Sequence, residues 1–165
     1  MSDKLKDVIN KQQKQQNADD NIVSEDIVQL VGFIIGDEEY AVPILTIQEI
    51  IKPIGWTRVP QTPNYVLGVF NLRGSVIPLI DLRLKFGLPP KKQDDETRFI
   101  VMRNGDDVAG FVIDRLTMAL RLKKSDIGPA PDTVDGDNTV IDGVGKRQNN
   151  ILTILKVNKL LERDF

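Results

Sequence analysis

Short apolar runs rich in valine and isoleucine recur along this chain, and turn-forming residues separate them at intervals of roughly 8–12 residues. The run IVQLVGFII at residues 27–35 is apolar in both alternating registers, which is typical of a strand that is buried on two faces. Residues 98–102 and 108–113 flank Asn104-Gly105, and Asn-Gly is the strongest short signal for a hairpin turn. The pattern predicts an all-β barrel or sandwich in which a few short helices fill the corners.

Three short helices are predicted from local patterns. The isoleucines of ILTIQEII at residues 44–51 recur at helical spacing, and a proline stands at each end of the segment. A helical turn is predicted to begin at Asp81, which would cap it, and to stop at Gly87. Residues 157–163 are predicted to close the chain as a C-terminal helix.

The N-terminal segment has a different composition from the rest of the chain. Residues 1–26 contain four lysines, six acidic residues and no aromatic residue. Such a segment cannot bury enough apolar surface to offset the entropy of ordering, so residues 1–26 are predicted to form a disordered polar tail. Residues 27–165 are predicted to form the folded domain, and its end after a helix at Phe165 favours a complete protein over a fragment of a kinase.

The composition removes most catalytic and metal chemistry. The chain has no cysteine and no histidine, so disulfides, a thiolate nucleophile, the commonest general base and the usual zinc ligands are absent. The acidic loop at residues 132–137 lacks the closing glutamate of a calcium loop and is interpreted as a solvated loop. We therefore expect a protein that is not an enzyme and that has no metal or cofactor.

The charge and hydropathy patterns bear on location and on partners. No apolar run approaches the roughly 18 residues of a membrane span, and the N-terminus lacks the apolar core of a signal peptide. The formal net charge is −2, and no basic block interleaved with aromatic residues occurs. These patterns predict a soluble cytoplasmic protein that neither inserts into a membrane nor binds nucleic acid.

Two charged residues in apolar surroundings are the strongest candidates for a site. Arg73 lies in the tight turn of FNLRGSVIPLIDLR, just before Gly74, and Glu49 lies in the isoleucine-rich segment at residues 44–51. Such charges are tolerated when they are paired, when another protein covers them, or when each is separately solvated, and the residues alone leave these readings open. Arg83 is interpreted as a solvated charge at a strand end or on a helix face.

Three stretches of the chain together resemble the CheW coupling-protein family of bacterial chemotaxis. They are GDEEYAVPILTIQEII, TRVPQTPNYVLGVFNLRGSVIPLIDLRLKFGL and FIVMRNGDDVAGFVID. The similarity extends from about Val28 to Leu161, and GVFNLRGSVIPLIDLRLKFG at residues 68–87 is its most specific part.

The resemblance implies a fold and a role. The fold would be two intertwined, five-stranded SH3-like β-barrels that share a hydrophobic core. The role would be a non-catalytic adaptor that couples the cytoplasmic signalling tip of chemoreceptors to the CheW-like regulatory domain of the histidine kinase CheA. It would be a cytoplasmic protein recruited to membrane-associated receptor arrays, with no cofactor, and both barrels would contribute to the kinase contacts.

The resemblance also implies a receptor-binding site. In the family, the acidic residue at the position of Glu49 pairs with the arginine at the position of Arg73, near a receptor groove. Gly68 and Gly74 would let backbone segments approach closely. The implied receptor-binding residues are Ile47, Glu49, Gly68, Val69, Asn71, Leu72, Arg73, Gly74 and Ala119.

Two alternatives remain at this level. One is a CheW-like regulatory module of a CheV-type or kinase-associated protein. The other is an SH3-like barrel that binds a different ligand, for which a basic face or an aromatic platform would be expected.

Overall fold

The structure, a computed structural model, describes residues 26–129 and 140–162, and it folds them into two β-sheets. Their eleven strands are β1 (Ile27–Ile35), β2 (Glu38–Pro43), β3 (Ile47–Ile51), β4 (Val66–Leu72), β5 (Ser75–Asp81), β6 (Arg98–Asn104), β7 (Asp107–Ile113), β8 (Arg115–Lys123), β9 (Ile127–Pro129), β10 (Ile141–Arg147) and β11 (Asn150–Leu155). The short helices are the 3₁₀ turns Ile44–Thr46 and Lys124–Asp126 and the α-helices α1 (Leu82–Lys85) and α2 (Val157–Leu160).

The chain passes from one sheet to the other and returns. The sheet with the strand order β8-β1-β2-β11-β10-β9 is called the first barrel, and the sheet with the order β3-β6-β7-β5-β4 is called the second barrel. Each sheet contains one parallel strand pair that joins distant parts of the chain by backbone pairing. The pair is β11–β2 in the first barrel and β5–β7 in the second. The predicted all-β class with two SH3-like barrels is confirmed, and the first barrel carries the three-residue β9 as an additional edge strand.

The buried side chains form three clusters, one inside each barrel and one shared between them. In β6, Phe99 and Val101 face the interior of the second barrel, whereas Ile100 and Met102 join the shared cluster. Because successive side chains of a strand point to opposite faces, a strand with both faces buried must be apolar throughout. The shared cluster takes residues from both barrels and from α2: Phe33, Ile35, Tyr40, Val42, Ile80, Leu82, Ile100, Met102, Ala109, Phe111, Ile113, Leu155, Val157, Leu160 and Leu161.

The helix predicted for residues 44–51 is wrong. The segment forms the 3₁₀ turn Ile44–Thr46 and then strand β3, which pairs with β6. Ile47 and Ile50 pack against the shared cluster, so the isoleucine spacing reflects burial across a strand with a register shift. Isoleucine also favours strands over helices, and pairing with β6 supplies hydrogen-bond partners for the backbone groups of β3.

The helical turn predicted at Asp81 is confirmed. Helix α1 follows β5 directly, and the Asp81 carboxylate accepts hydrogen bonds from the backbone N–H groups of Arg83 and Leu84, at 2.9 and 3.4 Å. Burial raises the pKa of Asp81 above its ordinary value of 3.8, against the opposing effect of these two hydrogen bonds. The cap therefore carries a desolvation cost that a neutral acceptor would avoid.

The interpretation of Arg83 as a solvated charge is wrong. Its guanidinium Nη1 lies 2.5 Å from the Oδ2 atom of Asp114, and the two side chains are only 17% and 10% exposed. Asp114 lies between β7 and β8 and is far from Arg83 in sequence. No local sequence pattern therefore predicts this ion pair.

Some predictions fall wholly or partly outside the described residues. These are the disordered tail at residues 1–26, of which the structure describes only Asp26, and the acidic loop at residues 132–137. The C-terminal helix is confirmed over Val157–Leu160, although its predicted end at residue 163 lies beyond the described part. Among the helices of the described ranges, none is long and apolar enough to cross a membrane.

The Asp81 cap makes a prediction about the pH dependence of stability. Asp81→Ala should lower the free energy of unfolding by about 1 kcal/mol, because the α1 N–H groups lose their acceptor, whereas Asp81→Asn should keep the cap. The pKa of Asp81 is higher in the folded protein than in the unfolded chain. Lowering the pH through the folded pKa toward 3.8 should therefore stabilise the wild type relative to Asp81→Asn. Urea unfolding of both proteins between pH 7 and pH 4 checks this, and a constant difference would contradict it.

Candidate functional site

The second barrel is closed at its edges by a short backbone contact. Its edge strands β3 and β4 stand at opposite ends of the sheet, and the segment after β3 turns back to reach β4. Thr57 and Val69 exchange two backbone N–H···O hydrogen bonds, both of 2.8 Å. A Cβ atom at Gly68 would lie 2.0 Å from the Thr57 carbonyl oxygen, so only glycine allows this approach.

An ion pair joins the same two edges nearer the tip of the β4–β5 hairpin. The Nε atom of Arg73 lies 3.2 Å from Oε2 of Glu49, and its Nη2 atom donates to Oε1 at 3.5 Å. The Glu49 side chain is 23% exposed, whereas that of Arg73 is 80% exposed. An ion pair in water contributes about 0.2–1 kcal/mol, so this pair adds little to the stability of the fold. Most of the guanidinium remains accessible to another molecule.

Arg73 occupies a backbone conformation that arginine seldom adopts. Leu72 and Ser75 are the last pair of the hairpin, so Arg73 and Gly74 form its two-residue turn, with φ angles of 53° and 89°. Such turns favour asparagine or glycine at both positions. The Asn71 side chain steadies the turn, since its Oδ1 atom accepts a hydrogen bond of 3.0 Å from the Gly74 N–H group. Residues held in a sparsely populated conformation cluster at functional sites, which makes the Arg73 guanidinium the leading candidate for partner contact.

The predicted site residues divide between the two barrels. All but Ala119 belong to β3, to β4 or to the turn after β4. Ile47 packs against the shared cluster and Leu72 against the interior of the second barrel. Ala119 is exposed on β8 of the first barrel, directly opposite Val31.

The close-approach argument holds for only one of the two glycines. Gly68 lies against the Thr57 backbone, which agrees with the expected close approach of backbone segments. A Cβ atom at Gly74 would meet nothing within 4 Å, so this glycine serves the positive φ of the turn. The receptor-binding role of the predicted residues stays a prediction.

The sequence reading missed an exposed apolar turn between β2 and β3. Leu45 is 95% exposed and Ile44 is 37% exposed, in the segment for which the isoleucine spacing predicts a short helix. Pro43 before this segment was the available signal, because a proline at the end of a strand marks a break in the ladder. A fully exposed leucine beside a second exposed apolar residue is a candidate contact for another protein.

The described residues offer no metal site. Within residues 26–129 and 140–162, no group of three or more Asp or Glu side chains is placed to hold a metal ion.

Comparisons with known proteins agree on one family. A family model described as a CheW-like domain matches residues 29–165. The chain is 54% identical to the chemotaxis protein CheW of Helicobacter pylori over 165 residues, the full length of both proteins. It is 34% identical to the CheW protein of Bacillus subtilis over 137 residues, which cover 82% of this chain and 88% of that protein. The crystal structure of the scaffolding protein TtCheW from Thermoanaerobacter tengcongensis matches with a TM-score of 0.76 and 28% identity, over 83% of this chain and 94% of that one.

The two glycines of the β4–β5 hairpin should respond differently to substitution. Gly68→Ala forces a Cβ atom into the Thr57 carbonyl, so we expect a loss of about 3 kcal/mol or more in the free energy of unfolding. Gly74→Ala meets open space and should cost only the left-handed conformation, about 1–2 kcal/mol. Chemical denaturation of both variants measures the two costs, and equal costs would contradict the closure assigned to Gly68.

Proposed function

We propose that this chain has two binding partners, since it belongs to the CheW-like family and is a chemotaxis coupling adaptor. The partners are the signalling tip of chemoreceptors and the CheW-like regulatory domain of the histidine kinase CheA. The chain would act without catalysis, at receptor arrays on the cytoplasmic side of the membrane.

The observation that carries the receptor contact is the geometry of Arg73. The Arg73 side chain is 80% exposed and extends from a left-handed turn. Because Glu49 binds one edge of its guanidinium, the planar group points in a defined direction. Such a group suits the carboxylates and backbone carbonyls of a helical hairpin, because arginine makes bidentate hydrogen bonds. We assign the neighbouring apolar contacts to Ile47 and Val69, which are partly buried on β3 and β4.

The kinase contact is assigned to the Ile44–Leu45 turn. A leucine that is 95% exposed gains most from burial against a second protein, and the burial of one such side chain is worth about 1.5–3 kcal/mol. The turn lies between β2 of the first barrel and β3 of the second, so a partner seated on it would meet residues of both barrels.

Reversing the charge of Arg73 should weaken receptor binding without unfolding the protein. Arg73→Glu should weaken binding of a receptor signalling-tip fragment at least about tenfold in isothermal titration calorimetry. Arg73→Gly should weaken it comparably while keeping or raising the free energy of unfolding, because glycine relieves the left-handed strain.

Two controls accompany the Arg73 variants. Lys146→Glu makes the same charge change at an exposed position of β10 and should leave receptor binding unchanged. The swap Arg73→Glu/Glu49→Arg restores an ion pair but not the guanidinium at the turn, and it should still bind poorly. Wild-type binding by Arg73→Glu would refute the assignment.

Placing a charge on the Ile44–Leu45 turn should affect only the kinase. Leu45→Glu should weaken binding of the kinase regulatory domain at least about tenfold and leave receptor binding unchanged. Because Leu45 is almost fully exposed, the free energy of unfolding should change by no more than about 0.5 kcal/mol. Ile151→Glu, at a residue 64% exposed on β11, is the matched control and should bind both partners normally. Unchanged kinase binding by Leu45→Glu would exclude this surface.

A further inference from the structure

The Arg83–Asp114 pair differs from the other ion pairs of the described residues. Its side chains are 17% and 10% exposed, whereas each of the other three pairs contains a side chain that is roughly half exposed or more. A buried pair requires fixed geometry to offset the cost of removing both charges from water.

Asp114 forms hydrogen bonds with the turn of the β1–β2 hairpin of the first barrel. Its backbone N–H group donates to the carbonyl oxygen of Ile34 at 3.1 Å, and its Oδ2 atom accepts from the N–H group of Gly36 at 2.9 Å. Asp114 itself lies where the chain leaves β7 of the second barrel and enters β8 of the first.

Arg83 approaches the same oxygen from the second barrel. It lies on α1, directly after β5, and its Nη1 atom donates to Oδ2 of Asp114. Its Nε atom donates to the carbonyl oxygen of Pro89 at 2.9 Å, and its own carbonyl oxygen accepts from the N–H group of Leu88 at 2.7 Å. One carboxylate oxygen therefore joins α1 of the second barrel to the hairpin turn of the first.

The chain itself crosses between the barrels twice, from β2 to β3 and from β7 to β8, and the non-covalent contact between them is mainly the shared apolar cluster. Apolar burial is non-directional, so it holds two sheets together without strongly fixing the angle between them. Charge-assisted hydrogen bonds from a guanidinium fork are directional. The polar contacts at Asp114 therefore add a directional restraint on the angle between the barrels to the restraint from the packed cluster.

Strand β5 connects the Arg83–Asp114 pair to the candidate receptor site. Strand β5 begins at Ser75, directly after the Arg73–Gly74 turn, and ends at Asp81, which caps α1. Seven residues at roughly 3.3 Å each make β5 about 23 Å long. The receptor-facing turn and Arg83 thus stand at the two ends of one strand.

We propose that Arg83 and Asp114 are positioning residues, which fix the orientation of the two barrels so that receptor and kinase can be held at the same time. The proposal rests on the proposed function. It assigns to this pair a role in coupling that is separate from the binding of either partner alone.

The test variant is Arg83→Met/Asp114→Asn. Methionine replaces the stem of Arg83, and asparagine keeps an acceptor for the Gly36 N–H group, so the fold should be retained without the directional pair. Affinity for the receptor fragment and for the kinase domain, each alone, should change by about twofold or less. Receptor-dependent activation of the kinase in reconstituted arrays should fall at least about fivefold.

A matched control separates positioning from stability. Ile113→Val removes a methyl group from the shared cluster and should lower stability while activating the kinase like the wild type. Arg83→Lys keeps the charge but loses the fork, and it should give intermediate activation.

Spin labels measure the orientation directly. The chain has no cysteine of its own, so cysteines at Val76 in the second barrel and Ile151 in the first, which are 67% and 64% exposed, give one labelled pair. The distance distribution between the labels should be broader or shifted in Arg83→Met/Asp114→Asn and, to a smaller extent, in Arg83→Lys.

The outcomes distinguish this proposal from the proposed function. If the wild type binds neither partner, the proposed function fails. If it couples both, and the positioning variants show wild-type activation or wild-type label distances, the proposal for Arg83 and Asp114 alone is overturned. Should the double variant not fold, Arg83→Lys supplies both readouts.

Discussion

The strands that separate the two barrels are buried on both faces, and the rest of the structure depends on this constraint. β6 sends Phe99 and Val101 into one interior and Ile100 and Met102 into the shared cluster, so it has no face left for polar residues. In β6 the polar and charged residues are therefore confined to the ends of the strand, at Arg98, Arg103 and Asn104. In a protein that acts through surfaces, this arrangement leaves the hairpin turns and edges to carry recognition, on a scaffold rigid enough to aim them.

Much of the fold follows from the sequence because this constraint is local. A strand that must be apolar in both registers is recognisable as such, and turn residues such as Asn104-Gly105 mark where it reverses. The same constraint explains the error at residues 44–51. An isoleucine-rich strand with a register shift imitates helical spacing, and only the pairing of β3 with β6 decides between the two.

The candidate site could be predicted in part. Glu49 and Arg73 are conspicuous as charges in apolar surroundings, and the structure joins them at 3.2 Å. The strain at Arg73, with its φ of 53°, could not be read from the residues, since asparagine or glycine would have been the expected choice there. The exposure of Leu45 could not be predicted, because exposure depends on which side chains the tertiary structure leaves uncovered and no local sequence feature reports it.

Arg73 and Arg83 show where reasoning from sequence reaches its limit. Both flank β5 and both follow a leucine, and although Gly74 marks the turn at Arg73, no local feature distinguishes the burial of the two side chains. One is 80% exposed and strained, the other 17% exposed and bound to a carboxylate of a distant corner. The difference arises from what each end of β5 faces: solvent at the hairpin tip, and the β1–β2 turn of the other barrel at α1. A single strand thereby connects a residue in a strained backbone conformation to a residue whose charge is largely removed from water.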